Sequence, residues 1–512
     1  MLLPLTAEIN KDSRISIGGC DVSELKSKYG TPLYIIDVAT VKKQCRDYLK
    51  FFAFGDFDSE ITYASKAFCT IPMCQTVRKE GFSIDVSTGG ELYIALKSGF
   101  EPEKIYFHGN NKSADEIMFG LDYKVGTFIV DNFNELEILN RLAGERNIRQ
   151  KIFLRITPGI KAHTHKYIQT GAIESKFGFG IYGGAAMDAV KVAAAYENIE
   201  LLGLHAHIGS QIFNIEVYEK LIDAMLKLAG DIKTGLGVKI THLNIGGGLG
   251  IRYVPEDEPS SIEDLSKVVV GALRKYTKQY DVKIDKIYLE PGRSIIGNAG
   301  TTLYEAGSIK YIPGIRNYVS IDGGMSDNIR PLLYQAKYDA YVANRASYIG
   351  RIEKGDIKRN TVAAGTAGTI ETAGKTVAAG AVGGASTSGS IMVSASGRMP
   401  DIASDSMGGV PDSKIKSAQG AKGYSGLIKY SIVGKHCESG DVIIEDIEIP
   451  EVKTGDLILV AATGAYCYSM SSNYNGQPRS AVVAVEDGRH CQWVERQTYE
   501  DLVSKDKKLK EC

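Results

Sequence analysis

The sequence predicts an α/β plus β fold, a (β/α)8 TIM-like barrel joined to a second β-rich domain of sandwich or barrel type. Three observations carry this. Short apolar or β-branched runs recur eight times from residue 61 onward, helix-length segments separate them, and a polar, chemistry-bearing residue stands at or just past the end of each run. Strand alternating with helix is the pattern of a parallel sheet with helical crossovers. A barrel of this kind places its active site at the C-terminal strand ends.

The first four runs, ITYASKA, SIDVST, IYFHGN and TFIVDN, begin at residues 61, 83, 105 and 127, each 22 positions after the last. KIFLRIT, GLHAHIG, HLNIGGG and KIYLEPG follow at 151, 203, 242 and 286, with wider gaps that leave room for long loops. Intervening stretches such as ELYIALKSGF and NELEILNRLAGER carry apolar residues at three and four spacing, the signature of amphipathic helices. Lys66, Asp85, His108, Asp131, Arg155, His207, Gly246 to Gly248, Glu290 and Arg293 all fall at predicted strand ends. Asp131 and Arg155 read as a barrel-interior ion pair and receive no catalytic role.

Beyond the barrel, DVIIEDIEI, DLILVAA and VVAVED read as strands, and TPLYIID from the N-terminal part joins them. The expected organisation is an N-terminal segment, 1–40, that joins the β-domain; a cofactor-binding barrel, 41–300; and a C-terminal β-domain built from 301–345 and 428–512. Residues 346–427 form a Gly/Ala/Ser/Thr-rich insertion. Its stretch TVAAGTAGTIETAGKTVAAGAVGGASTSGS, 361–390, repeats TVAAG fifteen positions apart and is almost wholly small residues. Such a stretch buries too little apolar area to offset its ordering entropy, so a flexible excursion is expected, with a small β-rich one as the alternative.

The 512 residues carry 60 Lys+Arg against 61 Asp+Glu, a balance that points to neither nucleic acid nor an anionic membrane as partner. MLLPLTAEINKDSR lacks a basic n-region, so no secretory signal is expected. No apolar stretch approaches the roughly 20 residues that span a bilayer. A cytoplasmic location is the expectation. The 8 cysteines show no CxxC pair and no dense spacing, which disfavours a disulfide scaffold and a zinc site. His163 and His165 have the spacing of metal ligands but no carboxylate-rich partner motif, so no metal is expected.

Lys66, flanked by apolar residues in YASKAF, stands where burial should lower the pKa of an ammonium and favour an amine nucleophile. The triple glycine of NIGGGLGI, after the seventh strand, exposes backbone N–H groups that can cradle a phosphate. EPGR adds a carboxylate and a guanidinium at the next strand end. A buried amine, a phosphate cradle, an acid and the flat face of His207 together point to pyridoxal 5'-phosphate bound as a Schiff base.

YASKAF, HGNNKS, GLHAHIGSQ, NIGGGLG, EPGRSI, DGGMSDNIRPLLY, CESGD and GAYCYSMSSNYN together resemble the diaminopimelate decarboxylase family, of the alanine-racemase-like group of pyridoxal-phosphate enzymes. The resemblance runs along residues 15 to 345 and 430 to 490. It implies that Lys66 carries the cofactor and that His207 stacks on its ring. Ser210, Gly246, Gly247, Gly248 and the turn of Pro291, Gly292 and Arg293 would hold the phosphate. Glu290 would pair with the pyridinium nitrogen, and Asp85, His108 and Tyr466 would complete the cofactor pocket. Arg293, Arg330 and Tyr334 would take the distal carboxylate of the substrate and Glu438 its distal ammonium, with Tyr466 beside them. Cys437 would return a proton to Cα after carbon dioxide leaves. Glu438 and Asp441 should keep its thiol protonated, against the opposite pull of a charged His436.

The resemblance also implies a homodimer with sites at the interface, and decarboxylation of meso-2,6-diaminopimelate at its D-centre to L-lysine, the last step of lysine biosynthesis. The alternatives are a carboxynorspermidine decarboxylase, an ornithine or arginine decarboxylase of the same fold, or a non-catalytic cofactor-binding homologue. The 103 positions from Tyr334 to Cys437 are more than the family pattern needs.

Overall fold

Eight parallel strands, Asp58–Ala64, Ser83–Val86, Ile105–Phe107, Thr127–Val130, Gln150–Thr157, Ile199–His205, His242–Asn244 and Lys286–Leu289, form the ring of a computed structural model that describes residues 2–160, 174–354, 357 and 426–509. Neighbours in sequence are neighbours in the ring, and pairing of Lys286–Leu289 with Asp58–Ala64 closes it. All eight runs expected from the sequence are strands. Their central residues are buried on both faces, as in Ser83–Val86 and Thr127–Val130, because helices cover the outside and side chains fill the inside.

The crossover helices start where the sequence supplies caps. Thr88 accepts from Glu91 N to open Gly89–Lys97, Ser113 and Glu116 form a reciprocal capping box on Ala114–Asp122, and Asn132 accepts from Glu135 N to open Phe133–Glu145. Inside the ring, Tyr106, Ile129, Phe153 and Tyr288 form a separate apolar layer. This aromatic plug lies below the polar strand ends, so the chemistry sits on a packed floor and not in a pore.

The second domain is a sheet of antiparallel and parallel pairings. Leu33–Asp37 runs antiparallel to Gly300–Ile312 on one side and parallel to Ala481–Glu486 on the other. Gly300–Ile312 also pairs with Leu457–Val460 through its first half and with Arg316–Ile321 through its second. Leu427–Val433 and Val442–Pro450 extend that far end.

The residues after 345 differ from expectation. Ser347–Glu353 is a helix whose Tyr348 and Ile349 are buried, and Ala346 N donates to Ser13 O at 2.6 Å. Residues 346–353 therefore pack with the folded body. The small-residue stretch 361–390, and with it the choice between a flexible and a β-rich excursion, lies outside the described residues. So do His163 and His165.

Candidate active site

A cleft of about 350 Å³ opens at the C-terminal mouth of the barrel, lined by Lys66, His207, Ser210, Gly247, Gly248, Glu290, Gly292, Arg293 and Tyr466 among others. Lys66 sits in the turn Ser65–Ala67 that ends the first barrel strand. The carbonyl of Ala67 accepts from Tyr466 N at 2.8 Å and from Ser469 Oγ at 3.1 Å, so the GAYCYS loop of the β-domain grips the turn that presents the lysine. Tyr466 adopts φ +64 to make that bond, a left-handed conformation that bulky residues rarely take.

The electrostatics of Lys66 run opposite to expectation. Its Nζ lies 3.8 Å from Oδ2 of the fully buried Asp85, and that carboxylate raises the ammonium pKa, outweighing the downward effect of desolvation. The amine is held as a cation, and Asp85 is its counter-ion. The side chain itself is 43% exposed because it projects into the open cleft.

Glu290 lies deeper. Asn244 Nδ2 donates to its Oε1 at 2.7 Å, His108 Nε2 lies 2.9 Å from the same oxygen, and His205 Nε2 lies 3.1 Å from Oε2. Burial alone would favour the neutral acid, but the two imidazoles prevail and hold the carboxyl pKa well below its ordinary range. Burial pushes the His205 pKa down to about 4 and that of His207 well below its usual value, the latter helped by Lys66 and Arg155. His207 is therefore a neutral ring. Its Nδ1 accepts from Gly247 N at 3.3 Å, which leaves the proton on Nε2.

The glycine turn packs against the neighbouring strand end. A Cβ on Gly247 would lie 2.0 Å from the Glu290 carbonyl, and Gly248 has φ +122 with Gly209 O only 2.5 Å from where its Cβ would stand. Ala64 N donates to Pro291 O at 3.1 Å, tying EPGR to the strand that carries Lys66. Glu290 N donates to Gly246 O at 2.9 Å. Arg293 donates from Nε at 3.1 Å and Nη2 at 2.8 Å to Ser210 Oγ, and its guanidinium lies 4.8 Å from the centre of the Tyr466 ring.

Arg330 opens the short helix Arg330–Tyr334 and is buried; the centre of the Tyr334 ring lies 6.0 Å from its guanidinium carbon. Asp131 and Arg155 form the ion pair read from the sequence, at 3.7 Å. Cys437 and Glu438 are exposed and do not line the cleft of this chain. Cys437 is a free thiol whose backbone N donates to Asn475 Oδ1 at 3.1 Å. Asp441 uses its carboxylate on the backbone N–H groups of Met325 and His436, which fastens the CESGD loop to the DGGMSD loop.

Sequence reasoning passed over His205, Asn244, Tyr253 and Tyr338. The first two had a signal: residues two apart on a strand share a face, so His205 points inward as His207 follows the strand end, and Asn244 pairs in register with His205. The two tyrosines had none.

These groups fit pyridoxal phosphate. An amine, a neutral imidazole, an ionised acid and a glycine turn beside Ser210 and Arg293 converge on one cleft. Both carboxylate oxygens of Asp85 are buried with no hydrogen-bond partner among the described residues, as expected of a group placed to meet a polar ligand. Fold and cleft together define a barrel enzyme of the pyridoxal-phosphate-dependent class. Residues 38–297 match the pyridoxal binding domain of the pyridoxal-dependent decarboxylases, and residues 386–464 match their C-terminal sheet domain.

The diaminopimelate decarboxylase of Bacillus subtilis (strain 168) is 40% identical over 506 residues, covering 99% of this chain and 98% of the relative. That of Bacillus methanolicus is 39% identical over 491 residues, covering 96% of each. The crystal structure of diaminopimelate decarboxylase from M. jannaschii in co-complex with L-lysine superposes with a TM-score of 0.79 at 30% identity, over 99% of both chains. The chain belongs to the diaminopimelate decarboxylase family.

Proposed function

We propose that the protein is a carboxy-lyase that decarboxylates meso-2,6-diaminopimelate at its D-centre, giving L-lysine and carbon dioxide in the cytoplasm. The observation that carries the substrate choice is the pair Arg293 and Arg330. Both guanidiniums are buried near the cleft, and neither meets a carboxylate among the described residues. Two such charges need an anion from outside. An ornithine-type substrate has no distal carboxylate to offer, whereas diaminopimelate does.

Pyridoxal phosphate, bound through Lys66, supplies an electron sink for the pair left when the Cα–carboxylate bond breaks. Ser210, the turn of Gly246 to Gly248 and the EPGR turn hold the phosphate. Glu290, kept ionised by His108 and His205, would hold a proton on the ring nitrogen of the bound cofactor. Neutral His207 presents its face without adding a second positive charge near Lys66. Arg293, Arg330 and Tyr334 bind the carboxylate that stays, since binding the one that leaves would stabilise the ground state over the transition state. Glu438 takes the distal ammonium, and Cys437 returns one proton to Cα.

The exposed position of Cys437 and Glu438, outside the cleft of their own chain, supports a homodimer in which each loop serves the partner's cleft. The test of the whole reading offers the pyridoxal-phosphate-loaded protein meso-diaminopimelate, L,L-diaminopimelate and ornithine separately. Lysine and carbon dioxide should come from the meso isomer alone; turnover of ornithine instead would sink the assignment.

A further inference from the structure

The two buried arginines meet through one atom. Arg293 Nη1 and Arg330 Nη1 both donate to the hydroxyl of Tyr253, the latter at 3.2 Å. Tyr253 is 5% exposed, Arg293 5% and Arg330 6%, so solvent does little to screen the two charges from each other. The ring of Tyr253 is held on two sides. Tyr338 meets it edge-on at 5.4 Å and 85°, and Asp257 accepts from its backbone N at 2.8 Å, which fixes the turn that delivers it.

A phenolic oxygen has two acceptor positions and one proton. Here both acceptor positions face guanidinium N–H groups, so the proton must point elsewhere. Among the described residues no acceptor receives it, and none supplies a carboxylate to either arginine. Tyr338 cannot take the proton's place in this arrangement, because its own hydroxyl accepts from Arg330 Nη1 and lies 3.5 Å from Cys467 Sγ. The three groups therefore present donors only: two guanidiniums with free N–H positions, and one hydroxyl whose proton is left over. Such a cluster is incomplete until an anion arrives.

We propose that Tyr253 is a specificity-determining residue, whose hydroxyl holds Arg293 and Arg330 together and donates its own proton to the substrate carboxylate that those arginines receive. This deepens the reading of the arginine pair given above and rests on it. Serine or water at this point could bridge the arginines too, but the phenol reaches in from a separate turn and is oriented by its ring packing before substrate binds. A site built from oriented donors rejects a ligand that lacks the acceptor, because its buried polar groups are then left unpaired.

The test uses Tyr253→Phe, which removes the hydroxyl and keeps the ring. Equilibrium binding of L-lysine, which retains the distal carboxylate, is compared with binding of cadaverine, which lacks it, on pyridoxal-phosphate-loaded wild type and variant. The proposal expects lysine affinity to fall by about tenfold or more, with cadaverine affinity unchanged, and KM for meso-diaminopimelate to rise more than kcat falls. Equal loss for both amines would make Tyr253 a packing residue and overturn the proposal, as would unchanged lysine affinity. A weakened hold on pyridoxal phosphate with lysine affinity intact would assign the hydroxyl to the phosphate instead, and would also overturn it. If wild type binds lysine no tighter than cadaverine, the carboxylate reading of the arginine pair fails first, and the proposal falls with it.

Discussion

Replacing Asp85 by asparagine removes the largest influence that keeps Lys66 an ammonium. Because Asp85 raises the lysine pKa, the free amine is scarcer at a given pH than it would be without it. Asp85→Asn should therefore shift the pH profile of pyridoxal phosphate capture by the apo-protein toward lower pH, read by the absorbance of the bound cofactor; an unmoved midpoint would remove Asp85 from that role. Lys66→Ala should abolish the borohydride-trapped adduct altogether. Cys437→Ala should lower turnover by about 100-fold, within the usual range for a lost general acid, while cofactor absorbance stays the same. Charged residues such as Lys66, Asp85 and Glu290 were legible in the sequence because each interrupts an apolar run at a strand end. The direction of the Lys66 shift was not, since burial and the nearby carboxylate oppose each other and only the 3.8 Å distance decides between them. Tyr253 and Tyr338 were illegible for another reason: the chain has 28 tyrosines, and nothing local marks the two whose hydroxyls meet arginines.

Elements are held in place by contacts that lie outside the cleft. Lys112, from HGNNKS, is buried and donates to Gly109 O at 3.0 Å, Ile129 O at 2.9 Å and Glu135 Oε1 at 2.7 Å; Glu135 Oε2 accepts from Asp131 N at 2.9 Å. One ammonium thus ties the loop after the third barrel strand to the fourth strand and to the helix Phe133–Glu145. Lys112→Met should cost about 3–5 kcal/mol in denaturant unfolding, because it leaves a buried carboxylate unpaired, and the double change Lys112→Met with Glu135→Leu should recover much of that loss. The eight barrel strands were legible because strands buried on both faces read as continuous apolar runs. The helix Ser347–Glu353 was hidden by its position beside a change in composition, where a boundary drawn on residue type absorbed it. The polar floor shared by Glu290, His108, His205 and Asn244 comes from four different strand ends, so no local window of sequence contains it.

At the scale of the whole molecule, the lining of the cleft of one chain includes the lysine, the acid and Arg293 but not the exposed Cys437 or Glu438. Lys66→Ala, inactive alone, and Cys437→Ala, slowed by about 100-fold, should together show activity well above that of either when mixed and allowed to exchange subunits, since one composite cleft then has both groups. No recovery on proven exchange would mean that each chain completes its own site. The division into barrel and sheet was legible from the sequence, and so was the joining of the N-terminal segment to that sheet, whereas the place of its strand between two others was not. Leu33–Asp37 lies between Gly300–Ile312 and Ala481–Glu486, and Lys42 pairs with Glu486 at 2.8 Å across 444 positions. During synthesis this early strand can gain its first neighbour, Gly300–Ile312, only once the barrel strands have emerged, and its second, Ala481–Glu486, only when the last part of the chain has left the ribosome. Completion of the sheet is then a late event with a large loop to close. The single tryptophan, Trp493, belongs to the strand Arg489–Val494 that pairs with Ala481–Glu486, so its fluorescence should report that final step, lagging behind the recovery of helical signal during refolding.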